Sequence, residues 1–183
     1  MAIIVLRTPR LDIGLLTPEE SHLLKRYLLL NQEHLAPWEP VRDPSYTTDF
    51  EIKLRIKSAL LGFKQQSAFH FVILNKAHDE VLGVCNFANA VRGALQACHL
   101  GYAISVDHQG QGLMPEALKV CIEYMFKEQK FHRIMANYIP TNHRSESVLT
   151  SLGFKREGYS PAYLKIAGRW QDHVLTALIN PAD

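Results

Sequence analysis

The chain has 183 residues, with 20 Lys and Arg against 18 Asp and Glu, for a formal net charge of +2. That balance excludes a disordered polyelectrolyte and gives no footing for a DNA-coating protein, while 47% hydrophobic and 21% charged residues suit one folded domain, expected to span 1–183. Three unclustered cysteines, Cys85, Cys98 and Cys121, form neither a disulfide framework nor a zinc knuckle and fit a reducing, cytoplasmic setting.

The opening MAIIVLRTPRLDIGLL lacks a basic n-region and a small-residue cleavage site, so no signal peptide is expected. No run of 18 apolar residues predicts a membrane span. Leu11–Leu16 alternates as a first strand. Thr17-Pro18-Glu19-Glu20 reads as a helix start, with the helix running to about Leu30. Three prolines between Pro37 and Pro44 make the next segment an ordered loop. Thr48 to about Gln66 is a second helix, followed by strands at Phe69–Leu74, Val81–Ala88 and Cys98–Val106. Gly112 to about Glu128 is helical, with Leu113, Ala117, Val120, Cys121, Tyr124 and Met125 on one stripe. Ile134–Tyr138 is a strand and Asn142–Leu152 a helix, ended by Gly153 as a left-handed cap. Tyr159–Lys165 and Trp170–Leu178 form a closing hairpin around Ala167-Gly168. The order predicts one mixed α/β sheet with helices packed on it.

The segment that carries chemistry runs from Gly101 to Leu118: a strand, then a loop with Gly110 and Gly112, then a helix start. The first amides of a helix lack internal acceptors and sit at its positive end, and glycine lets a ligand approach the backbone. Such a loop suits a phosphate or pyrophosphate, yet a plain strand-to-helix turn has the same local form. The spacing is neither G-x-G-x-x-G nor a P-loop.

Gln109-x-x-Gly112-x-Met114 resembles the acetyl-CoA motif Q/R-x-x-G-x-G/A of the GNAT superfamily of N-acyltransferases. Asn142-x-x-Ser145, Leu152-Gly153-Phe154 and Glu157-Gly158 resemble that fold's second half. Pro37–Asp43, Asn86-Phe87, Val91-Arg92-Gly93, His132–Tyr138 and Trp170–Leu178 resemble the branch that acetylates ribosomal-protein N-termini, including the N-terminal alanine of the fifth small-subunit protein. Two positions depart from the pattern. Met114 stands where the motif prefers Gly or Ala, and Leu149 where several relatives carry a tyrosine as the acid for the departing thiolate.

The resemblance implies a GNAT fold: a mostly antiparallel sheet of about six to seven strands, flanked by helices and splayed at the CoA site. It implies acetyl-CoA as co-substrate and a protein N-terminus, that of a ribosomal protein, as partner, with no DNA, membrane or metal; the oligomeric state is left open. Only a neutral amine attacks a thioester. An α-amino group of pKa about 7.7–8.0 is roughly one-tenth neutral at pH 7, against about 0.0004 for a lysine, a difference of about 3 kcal/mol in the cost of neutrality. An N-terminal acceptor therefore needs only a weak base or a water chain.

By position in the motif, the backbone of Tyr102, Ala103 and Ile104 pairs with the pantetheine arm. The amides of Gln109, Gly110, Gln111, Gly112, Leu113 and Met114 hold the pyrophosphate, and Asn142 bonds the pantetheine. Ser145 is the candidate donor to the leaving thiolate, and Glu39, beside Trp38, the candidate that polarises the amine. Each has a plainer reading: Asn142 and Ser145 as helix-start residues, Trp38 as a loop pin, and Glu116 as a helix-terminal charge. Glu157 is a more distant candidate. The nine histidines show no H-x-x-x-H or H-E-x-x-H spacing, so no metal site is expected. Cys98 and His99 are adjacent in a strand and face opposite ways, which argues against a nucleophile pair. Two other readings stay open: acetylation of a small amine, and a CoA-binding ribosomal module without catalysis.

Overall fold

Side-chain alternation divides the core between the two faces of one eight-stranded sheet. The computed structural model describes residues 1–183. Strands β1 (Ile3–Arg7) and β2 (Asp12–Leu15) lead into helices α1 (Ser21–Leu30), α2 (Gln32–Leu35) and α3 (Asp49–Lys64). Strands β3 (Phe69–Leu74), β4 (Val81–Val91) and β5 (Ala97–Ile104) follow. Then come α4 (Leu113–Lys127), β6 (Arg133–Tyr138), α5 (His143–Ser151), β7 (Lys155–Ile166) and β8 (Arg169–Ile179). Along the sheet the strands run β1-β2-β3-β4-β5-β6-β8-β7.

The strand count exceeds the expected six to seven because β1 was not foreseen. Its IIVLR run is apolar without alternation, so its periodicity is silent. Pairing makes it a strand: Ile3 lies opposite Leu15 and Arg7 opposite Asp12. Gly14 permits the approach, since a Cβ there would lie 2.1 Å from the Ile3 carbonyl oxygen. Elsewhere the expected elements stand within a few residues. Thr48 caps α3 by accepting from the Glu51 amide, and Gly153 is left-handed with φ +88°. The proline-rich loop winds into two short turns, Ala36–Trp38 and Pro44–Thr47, each with a proline in its first positions.

On β3, Phe69, Phe71 and Ile73 face the larger core with α4, while Val72 and Leu74 face the smaller core under α1 and α3. Phe69 and Phe71 are fully buried, each contributing about 1.5–3 kcal/mol of hydrophobic stabilisation. Cys85, Cys98 and Cys121 are all buried in the larger core.

One junction differs from the rest. β5 and β6 are parallel neighbours, while every other pairing is antiparallel. Their register covers only Ala97–His99 against Arg133–Met135. Beyond His99, β5 stays on β4 as far as Ile104, and β6 stays on β8 as far as Tyr138. The sheet splays there, leaving one backbone edge of Leu100–Ile104 without a strand partner.

Candidate active site

A cavity of about 910 Å³ opens at the splay. Its walls are the free part of β5, the loop into α4, the first turn of α5 and the residues around Trp38. Eleven of the residues singled out from sequence meet there: Glu39, Tyr102, Ala103, Ile104, Gln109, Gly110, Gly112, Leu113, Met114, Asn142 and Ser145. Gln111 does not line it. Its carbonyl accepts from Arg10 Nη1 at 2.9 Å, and its side-chain amide donates to the Asp107 carbonyl at 3.0 Å. Its position serves the loop's shape rather than the cavity wall.

The loop ends at Gly112, the α4 N-cap, in the left-handed conformation with φ 72°. The first helical hydrogen bond runs from the Glu116 amide to the Gly112 carbonyl, and Pro115 carries no amide proton. The amides of Leu113 and Met114 therefore lack helical acceptors at the mouth of the cavity. The Met114 side chain is buried in the larger core, so its bulk lies away from the ligand side. A methionine in place of the small motif residue is absorbed by packing.

Contacts from five residues of distant elements fix this loop and the start of α4, and none has a local signal in sequence. Asn31 accepts from the Val106 amide at 2.9 Å. Gln109 lies 2.8 Å from His34 Nε2 and accepts from Arg144 Nη1 at 2.7 Å, bridging α2 and α5. Arg10 donates to Gln111 and to Glu116. Glu116 also accepts from the Thr8 hydroxyl at 2.6 Å. Burial pushes the Glu116 carboxyl up, but the Thr8 and Arg10 hydrogen bonds outweigh it and hold it below its usual value. Glu116 is the first-turn charge of α4 that the sequence implies, and its contacts make it also an anchor between the β1–β2 turn and α4.

Asn142 is the α5 N-cap, and its Oδ1 accepts from the Ser145 amide at 3.1 Å. Its Nδ2 is the atom left to reach a ligand. The Ser145 hydroxyl plays no part in capping. It faces β5, 2.9 Å from the Tyr102 phenol oxygen, and burial pushes that phenol up to about 12. The sequence points to the Tyr102 backbone alone; the contact of its phenol with Ser145 is visible only in three dimensions. Leu149, at the family's tyrosine position, is buried in the larger core.

Glu39 is the only carboxylate on the cavity wall, with His34, Tyr102, His108, His143 and Arg144 as its other ionisable side chains. Arg42 lies 3.5 Å from its carboxylate. The Glu39 carbonyl accepts from the Ala167 amide at 2.9 Å, tying the proline-rich loop to the β7–β8 turn. Trp38 lines the cavity while staying 38% exposed, so it is not a buried loop pin. Glu157 points elsewhere and pairs with Arg133. Cys98 is buried with its thiol pushed up to about 12, which leaves no reactive thiolate.

The arrangement suits a long polyanionic ligand with an acyl tip. Backbone donors at a helix start take the phosphates, a free strand edge pairs with an amide-bearing arm, and paired hydroxyls meet the tip. An acetyltransferase (GNAT) domain model matches residues 10–155. The chain is 47% identical to the [Ribosomal protein uS5]-alanine N-acetyltransferase of Escherichia coli (strain K12), over 96% of this chain and 91% of that protein. Among solved structures it superposes on the ribosomal-protein-S5-alanine acetyltransferase of Vibrio fischeri with TM-score 0.93 and 37% identity, covering 98% of both chains. Mycobacterium smegmatis RimJ in complex with CoA-disulfide gives TM-score 0.86 and 27% identity, covering 92% of this chain and 81% of that one.

Proposed function

The chain belongs to the GNAT acetyltransferase family and is an acetyl-CoA-dependent N-acetyltransferase, and from that premise we propose that it acetylates the α-amine of an N-terminal alanine, that of ribosomal protein uS5. The observation that carries the reading is the cavity at the β5–β6 splay, where helix-start amides, a free strand edge and one carboxylate converge. The 47% identity to the uS5-alanine enzyme across nearly the whole chain supports the acceptor. Residues 1–183 act as a single domain. The setting is the cytoplasm, where such an acceptor is made; no helix is long and apolar enough to cross a membrane.

The roles follow from position. Backbone amides from Gly110 to Met114 hold the pyrophosphate, while the Gln109 amide is spent on the Val106 carbonyl and its side chain, between His34 and Arg144, shapes the loop. The β5 edge at Tyr102, Ala103 and Ile104 pairs with the pantetheine, and one of its amides polarises the thioester carbonyl, a contact worth about 2.7–4 kcal/mol in acyl transfer. Asn142 Nδ2 bonds the arm. Glu39, alone among the wall's side chains in carrying negative charge, draws a proton from the incoming ammonium, directly or through water. Ser145 hydrogen-bonds the departing sulfur.

Mass spectrometry of a peptide panel with acetyl-CoA tests the acceptor. The panel holds N-terminal Ala, Ser and Met peptides, an N-blocked Ala peptide carrying a lysine, and spermidine. Acetylation confined to the free Ala peptide is the expected result, with kcat/KM rising to about pH 8 and levelling as the amine becomes neutral. Product from spermidine alone overturns the proposal in favour of a small-amine acceptor.

A further inference from the structure

Tyr102 carries the one cavity-facing phenol, and its oxygen lies 2.9 Å from Ser145 Oγ and 3.2 Å from the Ser145 carbonyl. The contact spans 43 residues of sequence and crosses the splay between β5 and β6, from β5 to α5, the helix that follows β6. A serine hydroxyl has one proton and two lone pairs. If the serine donates to the phenol, its proton is spent inside the protein and none is left for a ligand. If the phenol donates to Oγ, the serine proton is free to turn into the cavity. The Ser145 carbonyl only accepts, so it competes with Oγ for the one phenol proton; the contact to Oγ is the shorter, 2.9 against 3.2 Å, and the phenol is the more acidic of the two hydroxyls, which favours the second arrangement.

We propose that Tyr102 is a positioning residue that acts through Ser145: its phenol donates to Ser145 Oγ, so that the serine O–H points at the sulfur of the departing CoA. The proposal rests on the reading of Ser145 given above. In the step itself the amine nitrogen bonds to the acetyl carbon, and the C–S bond breaks with its electron pair on sulfur. The proton shed by nitrogen passes through Glu39 or water to the sulfur or to solvent. Tyr102 and Ser145 keep their protons throughout and supply a polarised hydrogen-bond chain to the developing thiolate.

Proton strengths support a hydrogen-bonding role over net proton transfer. A thiolate with a pKa near 8.5 does not deprotonate a phenol whose burial has pushed it up to about 12. The same burial keeps the phenol protonated, and so able to donate, across the working pH range. Conventional acid catalysis at this site would need a group of lower pKa, and Leu149, at the family's tyrosine position, cannot supply it.

The test compares Tyr102→Phe, Ser145→Ala and the double variant in single-turnover acetylation of an N-terminal Ala peptide, with acetyl-CoA affinity measured by calorimetry. Phenylalanine keeps the ring against the cavity wall, so folding is preserved, and thermal melting checks this. The expected result is a roughly tenfold slower single turnover for Tyr102→Phe, with acetyl-CoA affinity within about twofold of the parent. The double variant should be no slower than Ser145→Ala alone, because a residue that acts through Ser145 has nothing to act on once that hydroxyl is gone. Losses that multiply in the double variant overturn the proposal, as does a fall in affinity that accounts for the lost rate. A normal rate for Tyr102→Phe beside a slow Ser145→Ala removes Tyr102 and leaves the reading of Ser145 intact. A normal rate for Ser145→Ala removes both.

Discussion

The two walls of the cavity are built by opposite means. The wall formed by β5, the loop to α4 and the start of α5 works through main chain: a left-handed Gly112, helix-start amides and a strand edge freed by the splay. It is braced from four directions by Arg10, Asn31, His34 and Arg144. The facing wall, Trp38 and Glu39 of the proline-rich loop, works through side chains. The β7–β8 hairpin supports that loop from outside the cavity, where Val41 is 74% exposed and Trp170 65% exposed. Glu39 and Ala167 join the two pieces by one main-chain bond, and a Cβ on Gly168 would lie 3.6 Å from the Val41 side chain. A ligand common to every member of a family is bound through atoms that all residues share, so its wall is rigid and motif-like. An acceptor that differs between members is met by exposed side chains that can change without disturbing the fold.

The contrast breaks if a change in the main-chain wall leaves the cofactor undisturbed. Gly112→Asp should lower acetyl-CoA affinity by more than 100-fold, because it puts a negative charge at the α4 N-terminus and forces a side chain onto a left-handed position, with its Cβ 3.7 Å from Arg10 Nη2. Aspartate tolerates a positive φ better than most residues, so the fold should survive. Calorimetry showing undiminished binding would remove the loop as the anchor. On the facing wall, Trp38→Ala should raise the peptide KM by roughly tenfold and leave acetyl-CoA affinity unchanged. Steady-state kinetics with each substrate varied in turn separates the two; an equal loss for both would erase the division.

Smaller effects sharpen the comparison. Arg10→Ala removes a brace without touching the cavity, since Arg10 does not line it. Acetyl-CoA affinity should fall about threefold, with the acceptor KM unmoved; this measures how much pre-organisation contributes, in the range of one surface-exposed charged hydrogen bond. The smallest effect on the site is expected from Asp12, far away on β2, where Lys76 and His78 donate at 2.6 and 2.5 Å. Burial pushes this carboxyl up, but the hydrogen bonds from Lys76 and His78 outweigh it and hold it below its usual value. A depressed folded pKa stabilises above the unfolded value near 3.9, and the contribution is lost as pH falls through the folded value. Asp12→Asn should therefore lower stability at pH 6 by about 1.5–3 kcal/mol and by clearly less near pH 3, with both substrate affinities unchanged. Urea unfolding at the two pH values reads this directly, and a constant gap would show that the carboxylate's charge is not what stabilises.

How far the sequence can be read depends on how local the signal is. The helices at Asp49–Lys64 and Leu113–Lys127 announce themselves through caps and apolar periodicity, and both occur within two residues of the expected ends. The closing hairpin is legible at Ala167-Gly168, where both residues take positive φ. β1 is not legible, because an apolar pentapeptide carries no period and becomes a strand only by docking against Gly14. The site divides in the same way. Gln109, Gly112, Asn142 and Ser145 stand in short motifs and were found. The braces Arg10, Asn31, His34 and Arg144 stand in no motif, because their partners lie between 35 and 106 residues away.

The sequence by itself determined the family, the order of the elements from β2 onward apart from the short α2, and the glycine loop that leads into α4. These depend on turn chemistry, capping and side-chain period, which act over a few residues. Only the tertiary structure decided that the Met114 side chain packs into the core, that the Gln111 carbonyl and side chain brace the loop, that Glu116 is an anchor, and that a tyrosine on β5 meets the serine on α5. Each of these turns on which side chain lies across a gap between elements far apart in the chain. That distance is set by how two faces of a splayed sheet pack, and no local pattern encodes it.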